Sequence, residues 1–135
     1  MKAIKFTAFL LTCMLFAASH FQPVYASSEP ETLIAITPRY TYISSTTTHL
    51  SNVNGKALCT AQIIPKSSTN LRVFMYLEKY LNGTWTYYTS FSDSTTGSYL
   101  QISKNVTVSS GTYRVKASYY ANGENTIHYS ATRTF

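Results

Sequence analysis

A nucleophilic thiol in this chain would have to be Cys59, with His49 or His128 beside it to accept its proton. Cys59 stands in "KALCTAQII", where Ala57, Ala61 and Ile63 share its side of an alternating pattern. Those neighbours favour an inert, buried thiol. The two histidines are far apart and lack the Cys-x-x-Cys or His-x-x-x-His spacing of a zinc site. Paired carboxylates for sugar hydrolysis could be drawn from Glu78, Asp93 and Glu124. One of these lies on the polar side of a strand pattern and two lie in turn sequences, so all three read as solvated surface acids. No glycine-rich phosphate loop opens a helix. The sequence therefore predicts no catalytic residue, no metal site and no cofactor.

What remains with chemistry to offer is aromatic and basic. In "NLRVFMYLEKY", Leu71, Val73, Met75 and Leu77 alternate with Arg72, Phe74, Tyr76, Glu78 and Tyr80. In "GTYRVKASYY", Tyr113, Val115, Ala117 and Tyr119 alternate with Arg114, Lys116, Ser118 and Tyr120. If these two strands lie side by side, Arg72, Phe74, Tyr76 and Tyr80 share a face with Arg114, Lys116 and Tyr120. Trp85, Tyr87 or Tyr88 would extend it. Flat rings stack on sugar faces and interleaved cations attract anionic groups, which suits a charged glycan or a cell-wall polymer. Tyr, Trp and Arg also dominate protein–protein hot spots, so a protein partner fits the same residues. Aromatic residues pair across strands without any ligand, however, and alternation alone does not separate a binding face from packing. Nucleic acid is disfavoured by the modest charge and the export signal.

The elements that must position these residues are strands. The chain is rich in Thr, Ser, Tyr and Val, and no stretch keeps a 3.6-residue apolar period. Period-2 alternation recurs instead, bounded by turn signals, which predicts an all-β fold. Residues 33–53 read as a pair of short strands broken near Pro38. Asn54-Gly55, Asn82-Gly83 and Asn122-Gly123 mark tight hairpins. "WTYYTSF" fits either strict alternation or a bulge, "FSDSTTGS" reads as a loop, and "YLQISKNVTV" resumes a strand. The expectation is an antiparallel β-sandwich of about seven to nine short strands.

The first 26 residues read as a secretory signal peptide. Lys2 and Lys5 precede an apolar run from Phe6 to Ala18, and Val24-Tyr25-Ala26 offers cleavage after Ala26. Residues 27–37 form a polar stub that can contribute a first strand, and 38–135 a single domain. No later segment is apolar enough to span a bilayer, so the expected product is secreted, without a transmembrane anchor. Without Lys2 and Lys5, the chain's 11 Lys and Arg against 5 Asp and Glu leave a net charge of +4. That balance slightly favours an anionic partner and also serves solubility. Cys13 leaves with the leader, so Cys59 has no partner for an intramolecular disulfide. The domain must hold together by burial and hydrogen bonding.

Gly111-Thr112-Tyr113-Arg114-Val115 resembles the tyrosine corner of immunoglobulin-like sandwiches, with Tyr113 near the start of strand F. By that resemblance Cys59 takes the core position of strand B and Val115 its counterpart on strand F, a pair that cannot form the inter-sheet bridge. The central Trp of strand C is also missing, since Trp85 follows the next turn. The ligand face would then lie on strands C, C′ and F. The chain from about residue 38 is similar to a family of small exported proteins of Gram-positive, clostridia-like bacteria. The likeness rests on "PRYTYIS", "NGKA-C-A", an aliphatic strand ending "L-K", a Trp-led hairpin and "VSSGTYRV". It implies a fold and an export route to the cell envelope or medium. It implies no activity.

Overall fold

The computed structural model describes residues 39–135. The expected leader, its expected cleavage point and the expected stub fall outside the described residues, as does any strand before Pro38. The described chain forms eight strands and no helix: β1 (Ile43–Val53), β2 (Lys56–Pro65), β3 (Thr69–Leu81), β4 (Thr84–Gly97), β5 (Leu100–Val106), β6 (Thr112–Ala121), β7 (Glu124–Tyr129) and β8 (Arg133–Thr134). One sheet runs β1-β2-β5, and the other β4-β3-β6-β7, with the short β8 also beside β6. Every pairing is antiparallel. This is the antiparallel β-sandwich that the alternation predicts, in the immunoglobulin-like form that the tyrosine-corner resemblance implies. The strand after β3 stays in its sheet, which sets three strands against five, the short β8 included.

Local sequence explains the hairpins. Asn54-Gly55, Asn82-Gly83 and Asn122-Gly123 each place two successive residues at positive φ, as at Asn82 (50°) and Gly83 (82°). That pair of values matches the right-handed twist of flanking strands, and Asn and Gly adopt it at least cost. The turns join β1 to β2, β3 to β4 and β6 to β7.

The two sheets close on the aliphatic half of each alternation. Leu71, Val73, Met75 and Leu77 of β3 and Tyr113, Val115, Ala117 and Tyr119 of β6 meet Ala57, Cys59, Ala61 and Ile63 of β2, with Leu50, Leu100 and Ile102. Cys59 and Val115 are fully buried on opposite sheets. Burial pushes the Cys59 thiol up to about 11, so at neutral pH it is protonated and a poor nucleophile.

The tyrosine corner closes one end. Tyr113 donates from its hydroxyl to the Ser109 carbonyl at 2.8 Å. Tyr88 and Phe135 set their rings edge-on against it, at centroid distances of 5.4 and 5.7 Å, and the Lys79 ammonium lies 5.4 Å from its ring. Gly111 turns the chain into this corner with φ 151°, and a Cβ there would stand 2.5 Å from Lys79 Cε. The positive φ favours glycine there, while the Lys79 tip is free to move aside.

One expectation is corrected. The segment read as a loop continues as strand to Gly97, because its Thr and Ser residues pair one for one with Thr69 to Met75 of β3. Polar composition here marks an exposed edge strand, and Thr favours extended backbone. After Pro38, the described part of residues 33–53 is one strand, bulged between Ile43 and Ser45.

Glu124 is no solvated surface acid. Its carboxylate accepts the backbone N–H groups of Thr41, Tyr42 and Ile43 at 2.6, 2.8 and 2.9 Å, and so fastens the start of β1 to the β6–β7 turn. Desolvation alone would raise its pKa, but the hydrogen bonds from Thr41, Ile43 and Tyr42 and the nearby Lys66 charge outweigh it, and the carboxyl titrates below its ordinary value of 4.5. A depressed folded-state pKa adds stability above the unfolded value, and that contribution disappears as pH falls through the folded one. The urea midpoint of Glu124→Gln should therefore lie below that of the parent at pH 7. The two should converge as pH is lowered beneath 4.5.

Candidate ligand-binding face

The alternation that sends aliphatic residues into the core sends the other half of β3 and β6 outward. Register then decides which of them touch. Across β3 and β6, Arg72 stands opposite Tyr120, Phe74 opposite Ser118, Tyr76 opposite Lys116 and Glu78 opposite Arg114. On the other side of β3, Tyr80 pairs with Trp85 and Glu78 with Tyr87, while Ser90, Ser92 and Ser94 lie beside Tyr76, Phe74 and Arg72. On the far side of β6, β7 adds Tyr129 next to Lys116 and Ile127 next to Ser118. Eight of the nine residues expected on the face thus share one surface.

Tyr88 is the exception. β4 gains one residue between the Leu77–Thr89 and Glu78–Tyr87 pairs, and Tyr88 is that residue. The bulge turns its ring onto Tyr113 and sends its hydroxyl to the Thr107 carbonyl at 3.2 Å. Tyr88 therefore supports the corner and leaves the outer face. Tyr87 takes its place there, 65% exposed.

The face has a closed end and an open end. At the closed end, Arg114 Nε donates to Glu78 Oε2 at 2.7 Å. The guanidinium carbon lies over two rings, 4.3 Å from the Trp85 centroid and 4.4 Å from that of Tyr129. Tyr80 continues the row with its ring centroid 5.0 Å from Trp85. The Arg114 and Glu78 side chains are only 24% and 16% exposed. In such a setting a charge-assisted hydrogen bond contributes about 1.5–3 kcal/mol. Arg114 was expected to be a free cation for an anionic partner, and Glu78 a solvated acid. Each instead satisfies the other, and the pair sets the spacing of the two rings.

At the open end, Arg72 is exposed, and its closest aromatic contact is Phe74, 5.9 Å from guanidinium carbon to ring centroid. The Phe74 and Tyr120 rings meet edge-on at 5.9 Å. Arg114–Glu78 is the only salt bridge among the described residues, so Arg72 has no carboxylate partner there. Lys116 lies between Tyr76 and Tyr129, half-exposed.

The outer face of the other sheet is different in kind. Thr47, His49, Thr60, Gln62, Gln101 and Ser103 occupy positions that pair across β1, β2 and β5; Val53, Leu58 and Ile64 add aliphatic surface, and Tyr99 joins its hydroxyl to Gln101 at one end. His49 is exposed there, away from Cys59 in the core. His128 faces the seam with β1, where its Nδ1 meets the Thr46 hydroxyl at 2.9 Å and its ring lies 6.0 Å from Tyr119. Of the remaining carboxylates, Asp93 accepts the Ser94 N–H at 2.8 Å and Glu124 holds β1. The thiol, the histidines and the acids are thus dispersed over separate parts of the fold.

Ile127 and Tyr129 were not among the expected site residues. The signal was present in "TIHY", where they alternate with Thr126 and His128. Which side of that alternation joins the aromatic row depends on the β6–β7 register, a long-range property.

No family model matches this chain, and no curated protein matches it. Among solved structures, it is similar to the crystal structure of wild-type OgpA from Akkermansia muciniphila. The identity is 14% and the TM-score 0.42, over 73% of this chain and 30% of that one.

Proposed function

We propose that the protein is an exported, non-enzymatic binding module of the cell envelope or extracellular medium. It would grip an anionic glycan or wall polymer on the outer face of the β4-β3-β6-β7 sheet. The observation that supports this reading is the asymmetry between the two outer faces. One presents mainly Thr, Ser and Gln, with Tyr99 as its single exposed aromatic beside Gln101, while the other collects Phe74, Tyr76, Tyr80, Trp85, Tyr87, Tyr120 and Tyr129 around Arg72 and Lys116. Packing between strands needs no such segregation. A row of flat rings held at fixed spacing on paired strands suits successive sugar faces, and the cations suit acidic substituents.

Retention of the domain on an insoluble acidic polysaccharide tests the reading, with Trp85→Ala as the deciding variant. Loss of retention in a folded variant supports it, and unchanged retention contradicts it. A second reading, in which the same face docks a protein or another copy of this chain, draws on Ile127, an aliphatic side chain left 51% exposed beside Tyr129. That reading requires a mass in light scattering that rises with concentration, whereas the glycan reading requires a constant monomer.

A further inference from the structure

We infer that the anionic substituent of the ligand is read at one position, the depression around Arg72 and Tyr120, and not along the whole basic face. This rests on the binding role proposed above and adds the chemistry of one subsite: an acidic group, carboxylate or phosphate, on a polyhydroxylated polymer.

Three cations lie on the face, and their surroundings differ. Arg114 has its Nε committed to Glu78 at 2.7 Å and its guanidinium over the Trp85 and Tyr129 rings. An incoming anion there would have to displace a carboxylate already in place and unstack a guanidinium. Lys116 offers a single point charge in the middle of the sheet, between Tyr76 and Tyr129. Arg72 is exposed, lacks a carboxylate partner among the described residues, and lines two adjoining depressions.

The larger of these two is open, about 480 Å³, and lies between the end of β4 and the β6–β7 turn. Asn70, Ser94, Thr96 and Asn122 line it with Tyr120. These side chains supply neutral donors and acceptors suited to hydroxyl groups. Tyr120 is 37% exposed and offers a stacking surface at the rim. A planar guanidinium at the edge of such a site can take two oxygens of one acidic group at once, which a lysine cannot. The smaller depression has Asp93 on its wall, with Ser92 and Phe74.

The test uses the domain with three soluble polymers: polygalacturonate, its methyl ester and poly(glycerol phosphate). The methyl ester keeps the sugar backbone and removes the charge. The two charged polymers distinguish a carboxylate from a phosphodiester. The parent should prefer at least one charged polymer over the methyl ester by about tenfold, and Arg72→Gln should abolish that preference without weakening binding to the ester. Lys116→Gln, which removes the same charge, should keep most of the preference. A preference that survives Arg72→Gln, or that is lost equally in Lys116→Gln, overturns the subsite. A parent that binds all three polymers alike overturns the subsite and leaves the glycan reading standing. A parent that binds none overturns both.

Discussion

Replacing Tyr119 by alanine should cost about 3–5 kcal/mol of folding free energy, a large share of the roughly 5–15 kcal/mol expected of one domain. Tyr119 is fully buried on β6, yet its hydroxyl crosses the core to the opposite sheet. It donates to the Thr47 carbonyl at 2.6 Å and meets the Thr48 hydroxyl at 2.7 Å, both on the edge strand β1. Burial raises its phenol pKa above the ordinary value, so it stays neutral and able to donate. Alanine would leave a cavity the size of the ring and unpair two groups on β1 together. Tyr119→Phe separates the contributions: it keeps the ring, loses the hydrogen bonds, and should cost about 1–2 kcal/mol. Urea unfolding measures both. A loss below about 1 kcal/mol for the alanine variant would show that β1 is held by other contacts.

The second large effect is on binding. Trp85→Ala should reduce retention on an acidic polysaccharide by about tenfold or more, since central aromatic anchors contribute disproportionately to affinity. The variant should nevertheless fold. Trp85 lies outside the core, and it contributes a cation–π contact of about 0.5–1 kcal/mol and an aromatic pair of about 0.5–1.5 kcal/mol. Its loss has a second consequence, because Arg114 is stacked against it at 4.3 Å. With that ring removed, the guanidinium gains freedom while its Glu78 bond remains. Trp85→Phe retains a ring in the same place and should recover much of the binding. Retention unchanged in Trp85→Ala would mean that the rings pack for stability alone.

Residues 71–80 and 113–120 were legible from sequence because one face of each is aliphatic and the other is not. A single alternation fixes which side is buried. The Asn-Gly turns were legible because their backbone demands those residues, and Tyr113 because the corner is a local bond across four residues. What escaped was long-range. Nothing in "RVK" states that Arg114 meets Glu78, Trp85 and Tyr129, because that meeting depends on the mutual register of four strands. The bulge at Tyr88 reverses the face of one tyrosine, and "TWTYYTS" fits either solution until the pairing with β3 is known. Glu124 looked like any turn acid, since its three N–H partners lie more than eighty residues away. The split of the face into a closed and an open end is likewise a property of the assembled sheet.

The most direct test of the central claim uses the single tryptophan of the chain. Trp85 lies on the proposed face, half-exposed and stacked on Arg114, so its fluorescence reports on that surface and on no other. Titrating the domain with polygalacturonate should produce a saturable change in Trp85 emission with the same midpoint as binding measured by calorimetry. Calorimetric binding with no change in Trp85 emission would place the ligand elsewhere and contradict the account.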